Sequence, residues 1–336
     1  MRYPGEWEPH ERTIMGWPCR KGLWGPTLEQ ARADYAYVAN AIADFEPVTM
    51  IAGSAQDARD ARSACAGRVE IVELALDDSW LRDTGPIYIV DGPAPSESDP
   101  ESSSSRSRLA VHFKFNAWGE KFSPWEHDAA VGGLIARELG DEVQEAPFVL
   151  EGGSVISDGA GTILTTEQCL LAKNRNPSLS RDAIEELLAE HLGAERIVWL
   201  GKGLVEDRDT DGHVDLIAAF TPDGQVLMQG ASSENPNAPN IEENLERLAE
   251  AGYEAVTIPF LPYTRVAGEE VAVSYLNLYI CNEAVIVPIS RHEFDDEALA
   301  MIGSVFPGRS VVPVPGATIA YGGGGPHCIT QQVPAI

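Results

Sequence analysis

Apolar and polar positions along this chain change period repeatedly, and the changes mark out elements. From Thr27, a candidate N-cap, to Phe45 the apolar residues recur at helical spacing, and Pro47-Val48-Thr49-Met50-Ile51-Ala52 then reads as a strand. Beyond it a unit of helix, strand, polar loop and β-hairpin recurs about five times. Helices are predicted near 55–66, 126–140, 180–192, 241–251 and 295–305. Strands follow at 69–76, in a run ending at 149–150, and at 196–200, 255–260 and 310–314. Hairpins turn at Asp158-Gly159, Asp223-Gly224 and Asn282-Glu283, and another joins 87–90 to 109–115. The most apolar stretch, Val271 to Ile289, is broken by Asn277, Asn282 and Glu283, so it reads as a hairpin and not a membrane span. Residues 1–26, rich in Trp, Pro and Gly, read as irregular backbone held by aromatic anchors.

The units share little identity, so the repeat is structural. Its use is in where the reactive side chains fall. Asp83, Glu151, His213 and Cys328 each lie in or just after the strand-to-hairpin loop of a different unit. Units arranged around one axis would bring those loops together. The stretch 91–108, with serines at 102–105, lacks apolar periodicity and reads as a flexible loop inserted between two strands. The whole chain, 1–336, is expected to form a single domain.

Composition narrows the partners. The 336 residues are 44% apolar, as in an ordinary soluble globular protein, but the formal net charge is −28. That excludes a nucleic-acid partner, which needs a basic face. It suits a small cationic ligand, although solubility alone would also explain it. Five cysteines without close pairing or a CxxC motif read as reduced thiols in a cytoplasmic protein, and the N-terminus lacks the apolar core of a signal peptide.

Two chemistries fit the reactive residues. His213, Asp215, His327 and Cys328 could supply the three or four ligands of a zinc site, but neither HExxH nor CxxC is present. Taken singly, Asp78, Asp83, Asp209 and Asp211 could simply cap turns. The thiol reading accounts for more. Gly322-Gly323-Gly324-Gly325 allows close backbone approach to a ligand just before Cys328. His213 and Asp215, at i and i+2 of an expected strand, would face the same side. A guanidinium carbon is a poor electrophile, and two carboxylates, Asp83 and Asp215, could hold it by paired hydrogen bonds in line with a thiolate. His213 would then protonate departing ammonia and accept a proton from water, with Glu151 orienting it.

These residues sit in longer motifs: Glu6-Trp7-Glu8-Pro9-His10, Trp80-Leu81-Arg82-Asp83-Thr84-Gly85-Pro86, Phe115-Asn116-Ala117-Trp118-Gly119, Leu150-Glu151-Gly152-Gly153-Ser154, residues 164–176, Gly212-His213-Val214-Asp215 and His327-Cys328-Ile329-Thr330-Gln331-Gln332. Together they resemble the agmatine deiminases, guanidino-group-modifying enzymes related to bacterial peptidylarginine deiminases, over nearly the whole chain. The resemblance implies an α/β pentein fold, a five-bladed propeller around a central site. It implies Cys328 as nucleophile, His213 and Glu151 as the proton-handling pair, and Asp83 and Asp215 as guanidinium ligands. Trp80, Asp209, Trp118 and Gly323 would contact the rest of the substrate. It further implies no metal or organic cofactor, a homo-oligomer, and hydrolysis of agmatine to N-carbamoylputrescine and ammonia in polyamine biosynthesis. Two positions depart from the usual family pattern: Gly325-Pro326 stands where Asn-Ile is common, and Asp209 where glutamate is. Arginine, peptidyl-arginine or another guanidine is the alternative substrate, and a non-catalytic guanidine or polyamine binder is the alternative class.

Overall fold

The computed structural model describes residues 1–92 and 106–336. Most of the serine-rich stretch expected as a loop at 91–108 therefore lies outside the described residues. Its two ends meet, with the Ser107 N–H donating to Asp91 Oδ1 at 2.6 Å.

Five sheets share one plan, in which an antiparallel pair is followed by a helix and a strand returning parallel to the second member. Ile87–Val90, Arg108–Lys114 and Val143–Val149 make one, with helix Asp128–Glu138 as the crossover. Val155–Ser157, Thr162–Thr166 and Arg196–Leu200 make the next, around helix Arg181–Leu192. Ala218–Phe220, Val226–Gln229 and Ala255–Ile258 follow, with helix Ala238–Glu250. Tyr279–Cys281, Ala284–Ile289 and Ser310–Pro315 use helix Asp295–Val305. The fifth sheet joins the chain's two ends. Thr330–Pro334 pairs antiparallel with His10–Gly16, which runs parallel to Val48–Ala52 after helix Leu28–Ile42, and Val69–Glu73 is added at the edge.

Local chemistry explains these boundaries. Helix Arg181–Leu192 begins where Ser180 Oγ accepts the Ala183 N–H and ends at Gly193, whose φ of 69° a side chain would resist. Helix Leu28–Ile42 buries Leu28, Ala31, Tyr35, Val38, Ala39 and Ile42, a stripe at three- and four-residue spacing. Thr27 occupies the N-cap position as expected, but its hydroxyl donates to the Trp24 carbonyl at 2.7 Å and caps no helix N–H. Central strands such as Val226–Gln229 are buried along their whole length, which is why they read as short continuous apolar runs. Five clusters of buried apolar side chains fill the spaces between sheets and helices. Among the described residues no helix is long and apolar enough to cross a membrane.

Three expectations are corrected. His10–Gly16 is a strand and not irregular backbone; its partner Thr330–Pro334 lies at the far end of the sequence. The stretch 271–289 is not one hairpin. Glu269–Ala272 pairs with Tyr263–Val266 across a turn at Ala267-Gly268, and only the second hairpin turns at Asn282-Glu283. Finally, His213 and Asp215 are not on a strand, because Val214–Leu216 is a turn of 3₁₀ helix. Both side chains still enter the same site, for a reason other than strand alternation.

Candidate active site

Each of the five sheets offers a polar residue from the segment just before its first hairpin strand. Asp83 lies in the short helix Leu81–Thr84 that precedes Ile87–Val90. Glu151 immediately precedes the 3₁₀ turn Gly152–Ser154, which leads into Val155–Ser157. His213 and Asp215 flank the start of the turn before Ala218–Phe220, Asn277 precedes Tyr279–Cys281, and Cys328 precedes Thr330–Pro334. Backbone in such turns has few internal partners, so side chains complete it and are fixed in return. Asn277 illustrates this: its Oδ1 accepts the Cys328 N–H at 3.2 Å and its Nδ2 donates to the Asp215 carbonyl at 3.2 Å.

The side chains form two buried sets of contacts that meet around Gly153. Cys328, 4% exposed, donates its thiol to Asp215 Oδ2 at 3.4 Å. Asp83 accepts the Gly153 N–H at 2.9 Å and the Trp118 Nε1–H at 2.8 Å. His213 is fully buried, with Nδ1 3.8 Å from Asp83 and Nε2 3.5 Å from Glu151. Glu151 also accepts from Arg175 Nε at 2.6 Å, and Cys169 Sγ lies 3.7 Å from it. Two buried atoms at the centre, His213 Nδ1 and Asp215 Oδ1, have no hydrogen-bond partner among the described residues. Gly153 keeps the centre open. A Cβ there would lie 2.6 Å from His213 Nδ1, 2.9 Å from Asp215 Oδ2 and 3.0 Å from Asp83 Oδ1.

Trp80, Trp118, Asp209 and Gly323 line one narrow recess together with Leu23, Asp78, Phe122, Thr210 and Gly322. Trp80 is braced by stacking on Trp24, ring centroids 5.8 Å apart. A Cβ on Gly324 would touch both Cys328 Sγ, at 2.8 Å, and Trp80, at 2.9 Å. Gly324 thus separates the thiol from the Trp80 side of the recess by backbone alone.

Electrostatics sort the groups. Burial, then Asp215 and Asp83, push the Cys328 thiol well above the usual thiol range. Burial alone would lower His213, but Asp83, Cys169 and Glu151 hold its imidazole well above the ordinary value. Burial works to raise both Glu151 and Asp215. His213 and Arg175 more than offset it at Glu151, and His327 does so at Asp215, so both are lowered. Asp83 is raised by burial and by Asp215 and Glu151, against the pull of His213.

Metal ligation has one geometric candidate among the described residues, Glu151, Cys169 and His213, whose donor atoms lie within 4.8 Å of one another. It differs from the set read from the sequence. Arg175 already holds Glu151, and the imidazole favours its protonated form, so this cluster repels a divalent cation. It suits proton handling.

The sequence profile of the Porphyromonas-type peptidyl-arginine deiminases matches residues 2–334. The chain belongs to this family. Among its relatives, the agmatine deiminase of Stutzerimonas stutzeri is 39% identical, over 99% of this chain and 95% of the relative. That of Pseudomonas aeruginosa (strain LESB58) is 38% identical, over 100% and 96%. The solved agmatine deiminase of Enterococcus faecalis superposes with a TM-score of 0.90 at 31% identity, covering 99% of this chain and 96% of the other. The C. jejuni agmatine deiminase with substrate bound gives 0.88 at 26%, over 99% and 96%. The fold is the α/β pentein fold of these enzymes.

In this deiminase-family chain, every candidate residue named from the sequence borders either the buried sets of contacts or the recess. Sequence reading missed Asn277 and Arg175. Asn277 had a signal, since it occupies in the fourth unit the place held in the others by Asp83, Glu151, His213 and Cys328. Arg175 lies in the motif 164–176, but nothing local tied it to Glu151, 24 residues earlier.

Proposed function

We propose that this protein hydrolyses agmatine to N-carbamoylputrescine and ammonia, with Cys328 as nucleophile. One observation carries the reading: His213, Asp83 and Asp215, with the Cys328 thiol on Asp215, converge on the single space that Gly153 leaves open. With both imidazoles protonated, Glu6, Asp83, Glu151 and Asp215 are balanced by Arg82, Arg175, His213 and His327. A guanidinium entering between Asp83 and Asp215 adds a positive charge, and the group left to balance it is the Cys328 thiolate. The substrate thereby activates its own nucleophile.

In this reading Asp83 and Asp215 hold the guanidinium nitrogens while the sulfur adds to the central carbon. His213 passes its proton to the departing nitrogen, the C–N bond breaks, and ammonia leaves a thiouronium on Cys328. His213, now neutral and supported by Glu151, takes a proton from water as the oxygen adds to the same carbon. The C–S bond then breaks as the proton of the added hydroxyl passes to the departing sulfur, giving the neutral ureido product and the Cys328 thiol. Trp80, Trp118 and Gly323 would enclose the methylene chain, and Asp209 would face the distal ammonium. The nearby cation Lys121 is already paired with Asp211 at 2.8 Å. Arg208 adjoins Asp209 but is exposed, and Asp207, Asp209 and Asp211 outnumber these two cations, which favours agmatine over arginine.

The same reading takes chain 1–336 as one catalytic domain, its five sheets as blades about one axis. It places the reaction in the cytoplasm and in polyamine biosynthesis, and the active form as a homo-oligomer. The deciding experiment measures ammonia release and product mass with agmatine and with arginine supplied separately. Ammonia plus a ureido product from agmatine, with little from arginine, is the expected outcome. Turnover of arginine alone would overturn the substrate assignment and leave the chemistry standing.

A further inference from the structure

Glu6 and His327 take no bond-making part in that reaction, yet their geometry is tight. His327 Nδ1 lies 2.8 Å from Asp215 Oδ2, and its Nε2 lies 2.8 Å from Glu6 Oε2. A neutral imidazole has one N–H and one lone pair, so one contact would set a lone pair against a carboxylate oxygen. Only the imidazolium donates to both. The ring sits on fixed backbone, since the His327 N–H donates to the Asn277 carbonyl at 3.1 Å and its own carbonyl accepts from Arg82 Nε at 3.2 Å. Glu6 is fixed as well, its Oε1 accepting the Ile280 N–H at 2.8 Å.

We infer that Glu6 and His327 are a positioning pair: the imidazolium between them keeps Asp215 ionised and fixes its Oδ2, the oxygen that borders both the open centre and the Cys328 thiol, where the guanidinium would pair. The inference rests on the function proposed above. Oδ2 receives both the imidazolium and the Cys328 thiol, while Oδ1 is buried without a partner among the described residues. Asp215 is 1% exposed and shares the site with Asp83. Two buried carboxylates at one site favour a shared proton, and a protonated Asp215 could not pair with a cation. The charged groups facing His327 are Glu6 from the N-terminal segment, Asp215 from its 3₁₀ turn and Arg82 from the helix Leu81–Thr84. Tyr3 and Tyr279 flank Arg82, and the neutral Cys328 thiol is adjacent. Burial and Arg82 oppose the charge on His327, and Glu6 and Asp215 more than offset them.

Glu6→Gln keeps the size of the side chain and removes its charge. The variant is expected to move the acid limb of kcat/KM for agmatine upward by about one pH unit. KM should rise most on the acid limb of the profile and approach that of the parent as pH increases, because Asp215 then ionises without the pair's help. A merely structural role predicts a pH-independent loss with the limb in place, and that result would overturn the inference. ¹⁵N NMR of the His327 ring gives an arm independent of activity. In the parent protein at pH 7.5 both ring nitrogens should show imidazolium shifts, and a neutral ring there would also overturn the inference. Absence of agmatine turnover in the parent would sink the substrate assignment instead, and the NMR result alone would then decide the charge of the pair.

Discussion

Cys328 Sγ and Asp215 Oδ2 lie 3.4 Å apart, with the thiol donating to the carboxylate. A thiolate so close to a buried carboxylate is repelled, so the free protein holds this cysteine protonated. Its alkylation by neutral iodoacetamide should therefore be slow at pH 7.5 and keep rising past pH 10. An ordinary thiol would be half-ionised near pH 8.5 and level off from about pH 9.5. The check is the inactivation rate against pH, and a plateau below pH 8 would contradict the neutral-network account.

Cys328→Ser removes the nucleophile but keeps a donor to Asp215. Ammonia release from agmatine should fall by roughly 10³-fold or more. Thermal stabilisation by added agmatine should persist, because the carboxylates that would bind the guanidinium are untouched. Substantial turnover by the variant would rule out the covalent route.

Gly153→Ala tests the open centre. No positive φ constrains Gly153, so the backbone accepts alanine, and the whole effect comes from a methyl group 2.6 Å from His213 Nδ1 and 2.9 Å from Asp215 Oδ2. The methyl group would occupy the space proposed for the guanidinium. A kcat/KM reduced by about 10²-fold or more, with little change in far-UV circular dichroism, is expected. Near-normal kcat/KM would put the guanidinium elsewhere.

Much of this was legible from the chain because hairpin turns and helix caps are local. Asp158-Gly159, Asp223-Gly224 and Asn282-Glu283 marked three hairpins correctly, and Ser180 and Gly193 bound a helix by side-chain and backbone rules that act within a few residues. The position of Asp83, Glu151, His213 and Cys328 before successive hairpins carried the site. What stayed hidden depends on distance along the chain. The strand His10–Gly16 needs Thr330–Pro334 to exist, Arg175 acquires meaning only beside Glu151, and Glu6 only beside His327. The face shared by His213 and Asp215 was reached from the wrong element, since a 3₁₀ turn directs both inward where a strand was expected.

Asp128 offers a test of stability. Its Oδ1 accepts the N–H groups of Asp77 and Asp78 at 2.8 and 3.0 Å, whereas Oδ2 has no hydrogen-bond partner among the described residues. Burial raises its carboxyl to about 7, and burial raises Asp78 beside it to about 6. A carboxyl raised on folding contributes stability that is fully present below the unfolded value near 4 and is lost as pH rises through the folded value. Asp128→Asn mimics the protonated form. The variant should gain stability relative to the parent as pH goes from 5 to 8, by about 1–3 kcal/mol. Chemical denaturation at both pH values checks this, and a pH-independent difference would refute it.

Asp209 decides how the recess treats the far end of a substrate. It is half-buried, and burial followed by Asp207 raises its carboxyl above the usual range. A Cβ on Gly323 would lie 3.2 Å from its Oδ2, so the glycine leaves room beside the carboxylate. The distal ammonium of agmatine would restore the charged form by pairing there. Asp209→Asn should raise KM for agmatine about tenfold with kcat within a few-fold, because the pair is made equally in ground and transition states. Asp209→Glu extends the carboxylate by one methylene. It should keep agmatine as substrate and shift preference toward diamine-like guanidines with a shorter chain. Steady-state kinetics on guanidines of graded chain length read this directly, and a KM for agmatine indifferent to Asp209→Asn would place the ammonium away from this carboxylate.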